Sequence, residues 1–323
     1  MPATITHAYF TKDVYDTVSK DIQKLVNVDR IKMFGQSTDS LLFYQLFSFR
    51  RGKDIRKLQK VFHETKSQEF FIHLITYIKE HNLIEDIDTC SFLFGFICHY
   101  VLDSTIHPYI FYKTGKFQKG VPITYKYNNI HTFMEVFLDN DMIHRREKKN
   151  PYSFPIGKFC FFLTPFSNSL LDTINYSFSH TFHINDMGKI YYQSLKQMKF
   201  SLTVFRRDVW GLKRGIYKLI DTFTPKSCFR FEAISYHYPL TDRHQFLNDN
   251  HQLWRNPIKY QLTSNESFYE LYIKSIKLAK KIIESTFSYL NGENIDLKTI
   301  FTNLSYVTGL DCDLQKELKY FEF

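Results

Sequence analysis

The stretch "GFICHYVLDSTIHPYI", residues 95–110, is apolar except for a histidine, an aspartate and a second histidine spaced four residues apart. On a helix, positions four apart differ by about 40° and positions eight apart by about 80°. His99, Asp103 and His107 therefore project from one side of one helix. Phe94, Phe96, Ile97, Tyr100, Val101, Leu102 and Ile106 leave that helix almost no polar face besides this stripe, which predicts that it is buried. A buried carboxylate beside two buried imidazoles needs partners, because isolated charge in a low dielectric costs several kcal/mol or more. A metal ion is one such partner, and an internal hydrogen-bond network is the other. Pro108 predicts that the helix ends at His107, whose side chain would then turn slightly away from the other two.

The rest of the chain favours an all-α protein. It has 323 residues, 44% of them hydrophobic, enough for a substantial core. Only 11 Gly and 9 Pro interrupt it, too few for the turns of an all-β fold. Helical periodicity is read at 9–26, 38–48, 55–63, 67–81, 89–107, 128–147, 167–176, 185–204, 265–290 and 296–305. In "SQEFFIHLITYIKEHN", Phe70, Phe71, Leu74, Ile75 and Ile78 form one apolar stripe. Residues 113–129 and 148–159 are loops, and 225–264 is irregular and rich in aromatics. The expected organisation is one domain over 1–323, with a core at 1–205 and a helical extension at 206–323.

The net charge of +9 permits anionic partners such as phosphodiesters, nucleic acid or acidic lipid, without choosing among them. No window reaches the roughly 18 uninterrupted apolar residues of a membrane span. No amphipathic anchor stands out either. The start "MPATITHAYFTKDVYDTV" does not read as a secretory signal. The five cysteines are odd in number and form no CxxC pair, so no disulfides and a cytoplasmic location are expected.

A second pair, His131 and Glu135 in "NNIHTFMEVFLDND", repeats the four-residue spacing in an apolar setting. Antiparallel helices can point two such stripes into one cavity, as di-metal bundles do. His7 in "TITHAYF", Asp39 in "FGQSTDSLLFY" and His63 in "LQKVFHETKSQEFF" are further candidates. Taken singly, each is as well explained by a cap or a satisfied polar group, Asp39 as a helix N-cap. His237, His244 and His251 recur every seven residues, but Pro239 lies between them and they are read as structural.

Taken together, "TITH", "GQSTD", His63, "HYVLDSTIHP" and "HTFMEVFLD" resemble the bacterial zinc-dependent phospholipase C family over about residues 1–145. The resemblance implies an all-helical bundle, of the type shared with single-strand zinc nucleases, holding up to three zinc ions. It implies that Asp39, His63 and His99 bind one ion and that Asp103 bridges it to a second, completed by His7 and the N-terminal residue. His107, His131 and Glu135 would bind the third. Removal of Met1 would place Pro2 at the N-terminus, five residues before His7. The resemblance also implies a catalytic role for Asp39, assisting proton removal from the attacking water.

The residue types suit that implication. Imidazole and carboxylate are zinc ligands, and paired ions can lower the pKa of water and clamp the oxygens of a phosphodiester. The implied function is phospholipase C-like hydrolysis of a phospholipid or smaller phosphodiester, with transient membrane-surface contact. Two alternatives stay open: a single-strand nuclease on the same fold, in which aromatics stack on bases, and a non-catalytic zinc-binding protein.

Overall fold

The helix expected at 89–107 is the axis of the fold, and in the computed structural model it runs further, over Ile87–Thr114. Asp86 caps it by accepting the Thr89 N–H at 2.7 Å. Pro108 does not end the helix, contrary to the sequence expectation. Proline removes one donor and crowds the preceding turn, but the turns beyond it bury Tyr109, Ile110 and Thr114, and that burial holds the helix together. Gly309 packs against the interrupted turn: a Cβ there would lie 2.4 Å from Ser104 O and 3.1 Å from Pro108 Cγ, at a φ of +62° that also favours glycine.

The described residues are 3–48, 51–225, 228–237, 239–314 and 317–322. Met1 and Pro2, and with them the expected N-terminal ligand, lie outside them. In chain order the helices are α1 (Thr4–Thr17), α2 (Lys20–Lys24), α3 (Val28–Phe34), α4 (Lys53–Glu64), α5 (Ser67–Glu80), α6 (Ile87–Thr114), α7 (Ile130–Glu147), α8 (Ile156–Cys160), α9 (Asn168–Phe182), α10 (Met187–Arg206), α11 (Leu212–Phe223), α12 (Phe268–Leu290) and α13 (Leu297–Ile300). A 3-10 helix, Ser37–Phe43, precedes α4, and another, Phe231–Ile234, follows α11. Trp254–Arg255 and Thr263–Ser264 form a small antiparallel ribbon, with Trp254 opposite Ser264.

The helix expected at 9–26 begins earlier and is divided. Val18 is extended and the Ser19 side chain caps α2, which starts a new helix. The last expected helix, 296–305, shortens to α13, and α11 was not anticipated.

Helices α1, α3, α7, α9 and α12 surround α6. One apolar core links Ile5 on α1 and Phe96 on α6 to Ile283 on α12 and Tyr306 beyond α13. Helix α6 is long and apolar enough to cross a membrane by length and composition, but it lies almost wholly inside the protein. Each fully buried Phe or Leu contributes roughly 1.5–3 kcal/mol, so the core far outweighs any single surface contact.

The end of α3 meets the backbone of α6 at Gly95. A Cβ on Gly95 would stand 2.6 Å from the Phe34 carbonyl carbon and 2.8 Å from Gly35 N. Backbone cannot give way as a side chain can. Alanine is the better helix former by about 1 kcal/mol, but overpacking costs about 1–3 kcal/mol, so Gly95→Ala is expected to be net destabilising. Urea unfolding checks this: a variant at least as stable as wild type would mean that α3 does not press on α6 at this point.

Candidate metal centre

Five elements bring the eight predicted residues together. His7 lies in the first turns of α1, Asp39 in the 3-10 helix Ser37–Phe43, and His63 next to the end of α4. Helix α6 carries His99, Asp103 and His107, while α7 carries His131 and Glu135. Asp39 is thus one of the buried residues of a 3-10 turn rather than the cap of a helix. His7, Asp39, His63, His99, Asp103 and Glu135 are buried, and His107 and His131 are half-buried.

In the first group, three imidazole Nε2 atoms converge on two carboxylates. His7 Nε2 lies 3.2 Å from Asp103 Oδ1, and His99 Nε2 lies 3.1 Å from Asp103 Oδ2. His63 Nε2 is 3.2 Å from Asp39 Oδ1, 3.5 Å from Asp103 Oδ2 and 3.2 Å from His99 Nε2. The His7 and His99 rings stack with centroids 4.5 Å apart.

The opposite ring nitrogens explain this orientation. His99 Nδ1–H donates to the Gly35 carbonyl at 3.0 Å, and His63 Nδ1–H donates to the Gln59 carbonyl at 2.9 Å. A carbonyl oxygen only accepts, so each Nδ1 carries the hydrogen and, in the neutral ring, each Nε2 presents a lone pair. Two lone pairs then face each other at 3.2 Å beside two carboxylates. Asp103 Oδ2, buried among three imidazoles, has no hydrogen-bond partner among the described residues. The group is rich in acceptors and short of donors, which fits a bound cation. Nitrogen and carboxylate oxygen donors with backbone carbonyls behind the imidazoles are the ligand pattern of zinc.

The second group adjoins the first. His131 Nε2 lies 3.1 Å from Glu135 Oε1, and His107 Nδ1–H donates to the Tyr306 carbonyl at 2.8 Å. Candidate ligand atoms of His107, His131 and Glu135 lie within 4.8 Å of one another, as do those of His7, Asp39, His99 and Asp103. His107 Nδ1 is also 3.5 Å from Asp103 Oδ2, which links the groups. A cavity of about 20 Å³ bounded by His7, Asp103, His107 and Glu135 lies between them, room for about one water. Ala3, Leu102 and Phe268 help to close it.

Several supporting residues went unrecognised in the sequence. Gln59 Nε2 donates to Asp39 Oδ1 at 2.7 Å. Its position one turn before His63 on α4 was the available signal. Asp139 extends the stripe of His131 and Glu135 by four more residues, but it faces α1: its Oδ1 accepts from Thr6 N at 2.8 Å and Thr6 Oγ1 at 3.0 Å. Tyr236 OH donates to its Oδ2 at 2.8 Å, and Arg206 lies 3.5 Å away. This anchors the α1 turn that holds His7. Tyr306 N–H donates to the His63 carbonyl at 2.9 Å, so one C-terminal residue braces both groups.

His237, His244 and His251 do not converge. His237 Nε2–H donates to Asp208 O at 2.7 Å, His244 stacks on Phe246 and His251 is exposed. Cys90, Cys98, Cys160, Cys228 and Cys312 are all free thiols.

A family model described as zinc dependent phospholipase C matches residues 7–177, a span that holds all eight residues. No curated protein and no solved structure matches the chain.

Without metal, protons take up part of the imbalance. Burial alone would lower the His63 imidazole, but Asp39 and Asp103 outweigh it and push it up to about 10. Burial alone would raise Asp103, but His107, His99 and His7 hold it well below the usual carboxylate range. A raised histidine stabilises fully below its unfolded pKa of about 6.5 and loses that contribution as pH rises through its folded value. A depressed carboxylate stabilises above about 3.9 and loses its contribution as pH falls. The urea midpoint of chelator-treated protein should therefore drop between about pH 6.5 and 10, and saturating zinc should remove the drop because its histidine ligands are already neutral. A flat midpoint in metal-free protein would contradict this electrostatic account.

Proposed function

Since this chain belongs to the zinc-dependent phospholipase C family, we propose that it hydrolyses a phosphodiester of the phospholipid class at a site of up to three zinc ions. The observation that carries the reading is the convergence of lone-pair-bearing Nε2 atoms and carboxylates in a group with too few hydrogens to satisfy them. His7, Asp39, His63, His99 and Asp103 would hold the first ions, and His107, His131 and Glu135 the remaining one. Bound zinc supplies Lewis acidity, lowering the pKa of water and neutralising charge on phosphate oxygens.

The chain's own residues do the positioning. The Gly35, Gln59 and Tyr306 carbonyls fix three imidazoles in place. Gln59 holds one oxygen of Asp39. Burial alone would raise the Asp39 carboxyl, but His63 and His99 bring it well below the ordinary carboxylate range. That suits Asp39 as a ligand more directly than as the proton acceptor for attacking water. Substrate would approach from the half-buried His107 and His131 side, since the 20 Å³ cavity cannot take a phosphodiester. We read the chain as one domain, 1–205 supplying the zinc core and 206–323 bracing it, in a cytoplasmic setting compatible with its free thiols.

Zinc-saturated protein should release product from short-chain phosphatidylcholine or a chromogenic phosphorylcholine ester, with little action on single-stranded DNA. Failure on both esters despite full metal content would sink the reading, and selective cleavage of DNA would replace it with a nuclease. Asp103→Asn is expected to lower activity beyond the roughly 10–100-fold typical of an outer-shell partner and to lose bound zinc, as measured by metal analysis. Fewer than two zinc per wild-type chain, read as an order-of-magnitude count, would exclude a multinuclear site.

A further inference from the structure

Helix α11 is inside out. Leu212, Ile216, Leu219 and Phe223 recur at helical spacing and are 70%, 54%, 61% and 81% exposed, and Trp210 just before them is 85% exposed. The polar side of the helix faces the protein. Tyr217 OH donates to the Phe205 carbonyl at 2.7 Å, and buried Asp221 accepts the Phe231 and Glu232 N–H groups at 2.8 and 2.9 Å. A surface helix ordinarily turns its apolar stripe toward the core. Here the anchoring is polar, and among the described residues the apolar stripe stays exposed.

Charge narrows what that is. Residues 207–232 contain six Lys or Arg and three Asp or Glu, a net of +3 in the sequence. Lys226 lies outside the described residues, and Lys213 and Arg230 donate to the Arg207 and Asp221 carbonyls, which leaves Arg207, Arg214 and Lys218 beside the stripe. Two of the three carboxylates, Asp208 and Asp221, are buried and occupied by backbone N–H groups. Glu232 alone faces Arg214 and Lys218, at 3.7 and 3.5 Å. An apolar stripe with a Trp at one end and a cationic border is the composition of a helix that lies in a lipid interface. A second copy of the same face would set its cationic borders against each other, which disfavours self-association.

We propose that α11 docks this protein onto an anionic phospholipid bilayer, with its apolar stripe among the acyl chains and Arg207, Arg214 and Lys218 at the phosphates. The docking face is tied to the site. Arg230 N–H donates to Asn129 Oδ1 at 3.1 Å and Asn128 Nδ2 donates to Cys228 O at 2.7 Å, just before His131 on α7. The inference does not depend on the reaction, because it concerns adhesion and would hold for a site with another substrate.

The test is co-sedimentation of full-length, zinc-saturated protein with vesicles of phosphatidylcholine alone and of phosphatidylcholine with phosphatidylglycerol. The anionic vesicles should bind at least about tenfold more tightly and release protein as salt rises. Of the two tryptophans, Trp254 is buried, so a blue shift of emission on binding reports Trp210. The Leu219→Asp/Phe223→Asp variant changes exposed positions and should keep its circular dichroism while binding at least about tenfold more weakly. Trp210→Phe should retain binding and lose the blue shift. Absence of binding to anionic vesicles, unchanged binding by the folded double variant, or a dimer that the double variant dissolves would each overturn the proposal. Ester hydrolysis is read separately, so loss of adhesion and loss of chemistry are distinguishable.

Discussion

The structure depends on a carboxylate in the wrong place. Asp103 sits midway along the most buried helix of the fold, where an uncompensated charge would cost several kcal/mol. The side chains around it do not relieve this by donating hydrogens in the ordinary way. The ring N–H groups of His63 and His99 point away, into the carbonyls of Gln59 and Gly35, and the hydrogen of His107 Nδ1, which lies 3.5 Å from Asp103 Oδ2, is taken up by the Tyr306 carbonyl. What His63 and His99 turn toward Asp103 and Asp39 are Nε2 nitrogens that accept a proton or a metal. The helices α1, α4 and α7 and the Ser37–Phe43 turn thus bring together imidazoles and carboxylates that could hold a positive ion.

That arrangement makes distant backbone part of the centre. Gly35 reaches His99 only because Gly95 lets α3 touch α6, and Tyr306 reaches His107 only because Gly309 lets the C-terminal segment settle against the Pro108 turn. Asp139 holds the first turn of α1 through Thr6, and so sets where His7 enters. Each of these contacts is a polar group meeting a partner far along the chain, and each fixes a direction as well as a distance.

What could be read in advance follows from that distinction. The stripes His99–Asp103–His107 and His131–Glu135 were legible because four-residue spacing on an apolar helix is local information. The all-α class followed from scarce breakers and repeated helical periodicity. His7, Asp39 and His63 were single candidates as well explained by caps or satisfied polar groups, and only the family resemblance joined them to the stripes. Helix α6 outran its expected end because burial beyond Pro108 overrides a local rule about proline. Asp139 lay on a legible stripe, yet spacing alone does not tell whether a third carboxylate faces a metal or the end of another helix.

Helix α11 sharpens that limit. Its alternation of Leu, Ile and Phe with Lys, Arg and Asp marks an amphipathic helix, but amphipathicity has no sign: the pattern is the same whichever face is buried. The sign comes from Tyr217 and Asp221, whose hydrogen bonds to Phe205, Phe231 and Glu232 hold the polar face inward. Directional bonds of this kind fix a helix without covering its apolar side, which packing alone could not do. Through Asp221 the helix holds the Phe231 and Glu232 N–H groups, and the adjoining Arg230 N–H donates to the Asn129 side chain at the start of α7, which sets α11 two hydrogen bonds from the half-buried end of the centre.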